Sequence, residues 1–217
     1  MDQAVRDVLD EYAQRAASER EKIESMSRGG GGASGQSFTI DDLLLWVGPD
    51  TGRLLNTLIK GARSKRLLEL GTSYGYSTVW LAEAARATGG RVVSCDVSAT
   101  KQAYARERLD RAGLGDVVEL RTGNALETIP TLEDGIDFVL VDLWKDLYVP
   151  CLERFLPKLA PGAIVAADNM LQPVQAKADA LAYRRAVRKA PGMSSVLLSV
   201  GSGIELSPLA GPLDAEL

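Results

Sequence analysis

Two short stretches carry the residue types and spacing that chemistry needs. The segment "VDLWKDLYVP" (141–150) places Asp142, Trp144 and Lys145 within four residues, directly after the apolar run "DFVLV". A second apolar run, "AIVAA", ends likewise in Asp168-Asn169. Acids at the ends of apolar strands are costly to bury unless something neutralises them. The chain has no histidine, which removes Ser-His-Asp and Cys-His catalysis and every His-ligated metal site. A base must then be Lys, Asp, Glu, Tyr or Cys. Asp142, Asp168 and Asn169 form an all-oxygen set suited to a hard divalent cation such as Mg²⁺. Helix capping by Asp168 or Asn169 is the competing reading. For Lys145 the competitor is a surface ion pair, and for Trp144 a place in the core.

A third stretch, "LLELGTSYGYSTVWLA", contains Glu69, Gly71 and Gly75 in an E-x-G-x-x-x-G pattern. Its glycines let the backbone turn sharply and approach a ligand, and the helix that follows offers free N–H groups. A tight strand-to-helix turn would need the same glycines. The pattern is not the G-x-G-x-x-G of a dinucleotide site. Asp96 ends the run "RVVSCDV", where an acid accepts hydrogen bonds from ribose hydroxyls or caps the next helix. Gly123, Asn124 and Ala125 follow the third run, where an adenine edge would lie. A glycine loop after the first strand and an acid after the second describe S-adenosylmethionine better than other common nucleoside ligands.

These residues need a scaffold that brings strand ends together. From residue 66 the sequence alternates short apolar runs (66–70, 91–97, 117–122, 137–142 and 163–168) with helical segments. Continuously apolar strands joined by helices predict a parallel sheet covered on both faces. Near the end, "SSVLLSV" and "GIELSPL" flank "GSG" as an antiparallel hairpin. The expected fold is α/β, a doubly wound, mostly parallel seven-stranded sheet with an antiparallel C-terminal hairpin and an N-terminal helical cap. Ligands in such sheets bind at the carboxyl ends of the strands, near the topological switch point. Val5, Val8, Leu9, Tyr12, Ala13 and Ala16 predict an amphipathic helix over 3–26. The glycine-rich stretch 28–37 reads as a linker or a lid, so the division is 1–37 and a ligand-binding domain 38–217. A second helix is expected near Thr39, broken by "VGPDTG" (47–52) and resuming through "RLLNTLIKGA".

Composition narrows the partners. With 217 residues, 46 % of them hydrophobic, and a net charge of −4, the chain fits one globular domain without affinity for nucleic acid. No apolar run is long enough for a membrane span, the N-terminus lacks the apolar core of a signal peptide, and two cysteines suit the cytoplasm.

Taken with their order and spacing, "LELGTSYGYS", "CDVS", "DFVLVDLWKDLYVP", "LAPGAIVAADN" and "VGSGIEL" resemble the cation-dependent O-methyltransferases that include the catechol and caffeoyl-CoA enzymes. The resemblance runs from about residue 38 to 207. It implies that Val47, Glu69, Gly71, Ser77, Asp96, Val97, Ala125 and Asp142 contact S-adenosylmethionine. It also implies that Asp142, Asp168 and Asn169 hold Mg²⁺ or another divalent cation, and that Lys145 is the general base. Trp144, Lys145 and Asn169 would meet the substrate, a small aromatic with vicinal hydroxyls. Leu143 departs from the animal catechol enzyme, which has a histidine there. Relatives that dimerise imply a homodimer. Tyr183 and Arg184 are candidates for a pocket wall or a solvated helix face. The competing functions are a metal-independent small-molecule methyltransferase, an NAD(P) oxidoreductase and a non-catalytic nucleoside-binding scaffold.

Overall fold

The structure is a computed structural model and describes residues 1–28 and 42–211. In chain order the elements are α1 (Gln3–Arg28), α2 (Pro49–Ala62), β1 (Arg66–Leu70), α3 (Tyr76–Thr88), β2 (Arg91–Asp96), α4 (Ala99–Arg111), β3 (Val118–Thr122) and α5 (Ala125–Thr128). They continue with β4 (Ile136–Val141), α6 (Tyr148–Phe155), β5 (Leu159–Ala167), α7 (Lys177–Lys189), β6 (Val196–Leu198) and β7 (Ile204–Pro208). The described residues form a seven-stranded sheet in the order β3-β2-β1-β4-β5-β7-β6. β1 to β5 run parallel, while β7 is antiparallel to both β5 and β6. The expected sheet and hairpin are therefore present.

Successive side chains of a strand point to opposite faces, and both faces here are apolar. Leu67, Val92, Phe138 and Leu140 pack under α1, α2 and α3 with Val5, Val8, Tyr12, Leu55 and Val79. Leu68, Leu70, Val139, Val141 and Val165 pack under α6 and α7 with Cys151, Phe155, Tyr183 and Val187. Two-sided burial explains why the strands read as unbroken apolar runs rather than alternating ones. β1 lies between β2 and β4, so the chain reverses direction of winding there and a crevice opens beyond its carboxyl end.

The start of the helix expected near Thr39 lies outside the described residues, as do the glycine-rich residues 29–37, and residues 44–48 have no regular structure. "VGPDTG" does not interrupt a helix but begins one. Gly48 takes φ 82° and Pro49 stands in the first turn of α2, where its missing N–H has no intrahelical partner to lose. Among the described residues no helix is long and apolar enough to cross a membrane.

Candidate active site

The β1 end is built around a buried carboxylate. Glu69 is fully buried and accepts hydrogen bonds from Ser77 Oγ at 2.6 Å, Thr78 Oγ1 at 2.6 Å and Ser94 Oγ at 2.5 Å. Burial pushes its carboxyl up to about 7, against the pull of these hydroxyls. The chain then turns through Gly71, whose φ is 106° and whose missing side chain leaves room for the carbonyl of Asp142, 1.9 Å from where a Cβ would stand. Any other residue at 71 would drive β1 and β4 apart at their tips.

Asp96 ties this loop to the next element. Its two oxygens accept the backbone N–H groups of Ser73 at 2.7 Å and Ser98 at 2.8 Å. The side chain that caps α4 is Ser98, which accepts from Lys101 N. A narrow crevice runs along the loop, lined by residues 44–47 on one side, 71–74, Tyr76 and Ser77 on the other, and Asp142 at its end. Of the residues expected at the cofactor, Val47, Gly71, Ser77 and Asp142 thus share one crevice. Glu69 lies behind Ser77, and Asp96 lies under Ser73. Val97 is exposed, and Ala125 is buried in the first turn of α5.

The β4 and β5 ends are built differently. Asp142 N donates to Leu70 O at 2.8 Å and Asp168 N to Val141 O at 3.0 Å, so both aspartates continue the ladder. Val141 pairs with Ala167, and Asp142 and Asp168 follow on neighbouring strands, about 5 Å apart in backbone. Asp168 is fully buried; its Oδ1 accepts the Asn169 N–H at 2.7 Å, while its Oδ2 has no hydrogen-bond partner. Burial pushes both carboxyls upward, Asp142 raises Asp168 further, and Lys145 opposes the shift of each. Burial also pushes the Lys145 ammonium down, against the pull of the two aspartates.

Lys145 Nζ donates to Asn169 Oδ1 at 3.2 Å and to Tyr148 Oη, and stands 4.0 Å from the centre of the Tyr148 ring. Tyr148 Oη in turn donates to the Asp168 carbonyl at 3.2 Å. Asp142, Lys145, Asp168 and Asn169 are therefore gathered at one place, and the surface ion pair once open for Lys145 is not what it makes. Asp168 and Asn169 cap no helix, because α7 begins only at Lys177 behind Ala176. Trp144 is 61 % exposed, so it is no core residue. Tyr148 was missed from sequence, although it stands three residues beyond Lys145. Tyr183 lines neither a pocket nor a solvated face: it is fully buried and meets Tyr148 edge-on at 5.4 Å. Arg184 pairs with the buried Glu205 at 2.7 Å.

The donor set fits a hard cation in part. Among the described residues no three His, Cys, Asp or Glu side chains cluster as metal ligands, so a third protein ligand has to be the Asn169 amide. The unpartnered, buried Asp168 Oδ2 favours such an ion, because an ionised oxygen without a partner is expensive.

Comparison with known proteins gives the family. The profile of a family described as "Methyltransferase domain" matches residues 68–170. A catechol O-methyltransferase from Mycobacterium tuberculosis is 34% identical over 161 residues, 70% of this chain and 73% of the relative. One from Niastella koreensis is 35% identical over 130 residues; the match spans 58% of each chain. The crystal structure of an O-methyltransferase from Bacillus cereus in complex with SAH superposes with a TM-score of 0.71 at 25% identity, over 96% of this chain and 91% of that one.

Proposed function

The chain belongs to the S-adenosylmethionine-dependent O-methyltransferases related to the catechol enzymes, and from that premise we propose that it methylates one hydroxyl of a small vicinal-dihydroxy aromatic with the help of a divalent cation. The observation that carries the cation is the unpartnered Oδ2 of the buried Asp168 beside Asp142, Asn169 and Lys145. When bound, the methyl donor supplies an electrophilic sulfonium methyl group, and Mg²⁺ supplies Lewis acidity that lowers the pKa of the acceptor hydroxyl.

The chain's own residues do the rest. Val47, Gly71 and Ser77 line the donor crevice, and Asp142 closes its end. In this reading Asp96 takes the ribose and Asp142, Asp168 and Asn169 are the metal ligands. Lys145 accepts the hydroxyl proton at Nζ, a role its lowered pKa suits. Tyr148 and Asn169 fix that nitrogen, so that the proton leaves along a set direction. Trp144 stands at the rim, exposed, where an aromatic ring can lie against it. The two cysteines are free and buried, which suits a cytoplasmic enzyme.

A metal-free methyltransferase is favoured by one observation, the lack of a third carboxylate among the described residues. Methylation of catechol by radiolabelled S-adenosylmethionine separates the two. We expect turnover with Mg²⁺ and none in EDTA; equal turnover in both would establish the metal-free reading.

A further inference from the structure

The crevice has two walls, residues 44–47 and residues 71–77, and the direct hydrogen bond between them is long. Ser73 Oγ reaches the Leu44 carbonyl at 3.5 Å, the outer limit of a hydrogen bond. Shorter contacts to both walls come from α1. Tyr12 Oη donates to the Tyr74 carbonyl of the loop at 2.6 Å. Glu19 Oε2 accepts the Leu44 N–H at 2.8 Å, and its Oε1 accepts Arg15 Nε at 2.7 Å. Arg15 spans the gap: it donates to the Asp42 carbonyl at 3.2 Å and lies 3.9 Å over the Tyr74 ring. Aromatic edges complete the frame, with Trp46 4.8 Å and Tyr12 5.6 Å from Tyr76.

The spacing along α1 shows how one helix does both jobs. Val5, Val8, Tyr12, Arg15 and Glu19 follow at intervals of three and four and so share one face. The first three are buried in the core. The last two continue the stripe as polar groups where the helix reaches the crevice walls. A helix that only covered the sheet would need the apolar part alone.

We propose that Tyr12, Arg15 and Glu19 are positioning residues of the methyl-donor crevice, holding its two walls at the separation that binding of S-adenosylmethionine requires. They touch no reacting atom and act through Leu44 and Tyr74. The inference rests on the reading above that the donor occupies this crevice.

The test compares Tyr12→Phe, which keeps the ring and removes the hydrogen bond, and Glu19→Ala with Val8→Ala, which weakens the same helix only through the core. Donor affinity is measured by calorimetry with S-adenosylmethionine; kcat, both KM values and Tm are measured on the same preparations. We expect the Kd and KM for S-adenosylmethionine to rise about tenfold in the first two variants, equivalent to the loss of one hydrogen bond. Their kcat and acceptor KM should stay within about twofold of wild type. Val8→Ala should lower Tm and leave the donor Kd unchanged. Donor affinity unchanged in Tyr12→Phe and Glu19→Ala, or lowered equally in Val8→Ala, overturns the positioning role while the proposed function stands. A wild-type protein that fails to bind S-adenosylmethionine overturns both.

Discussion

Glu69 and Asp168 are both fully buried carboxylates at or beside the carboxyl end of a central strand, yet their surroundings are opposite. Glu69 accepts three hydroxyl hydrogen bonds within 2.6 Å, whereas Asp168 accepts one backbone N–H and leaves Oδ2 bare. A buried polar group that is fully paired contributes to the fold, while one left unpaired costs free energy until a ligand meets it. The first site is finished without ligand; in the function proposed above, a cation finishes the second. That contrast separates a carboxylate that holds the glycine loop in shape from one available to a cation.

The largest effect should come from breaking the unfinished side. If Asp168 holds the proposed cation, Asp168→Asn should lower kcat with Mg²⁺ by roughly 10²–10³-fold, because a Lewis acid contributes several kcal/mol to the transition state. The same variant, measured by calorimetric melting without metal, should be as stable as wild type or more so, since the Asn169 N–H keeps its acceptor while a carboxyl whose ionisation burial disfavours is gone. A variant with near-wild-type kcat would remove Asp168 from the metal site.

Glu69→Gln attacks the finished side, and the signs reverse. Its amide nitrogen cannot accept from hydroxyls, so the fold should lose about 2 kcal/mol by denaturant titration. Asp168→Asn and Glu69→Gln that destabilise equally would erase the distinction between the two carboxylates.

Much of this was legible in the sequence. Strands β1 to β5 show as apolar runs because both faces of the sheet are covered, and acids at their ends stand out against such runs. Gly71 was readable because its φ and the nearby Asp142 carbonyl admit no side chain. Other parts were hidden for physical reasons. Arg15 and Glu19, read along a helix, look like a solvated ion pair, and only the fold brings residues 42 and 44 alongside them. Tyr183 looked like a surface or pocket residue in "LAYRR" until the packing of α7 buried it on Tyr148. The segment "VGPDTG" reads as a break because proline disrupts helix interiors, yet the same residue also begins first turns.

Acidity offers a smaller and continuous probe of the same contrast. A carboxyl whose folded pKa exceeds its unfolded value binds more protons when folded. Its contribution is complete below the unfolded pKa and is lost as pH rises through the folded one. For Glu69 the window runs from its ordinary 4.5 to about 7, and Asp142 and Asp168 are shifted in the same direction. The Tm of the metal-free protein should therefore fall across this range. Saturating Mg²⁺ should cancel the part owed to the aspartates and leave the part owed to Glu69, which Glu69→Gln alone removes. A Tm profile identical with and without Mg²⁺ at every pH would mean that the aspartates meet no cation.

The smallest expected change is at Trp144, which belongs to the unfinished side but not to its chemistry. At 61 % exposure its indole contributes little to the core, so Trp144→Ala should alter stability by no more than about 0.5 kcal/mol. Its worth lies in the area an aromatic acceptor would cover on binding, which at about 25 cal/mol per Å² is enough to raise the acceptor KM several-fold. kcat at saturation should hold, since Lys145 and Asn169 keep their hydrogen bond without the indole. A fall in kcat with unchanged KM would place Trp144 against the reacting oxygen instead, and would extend the ligand-completed half of the site to the rim.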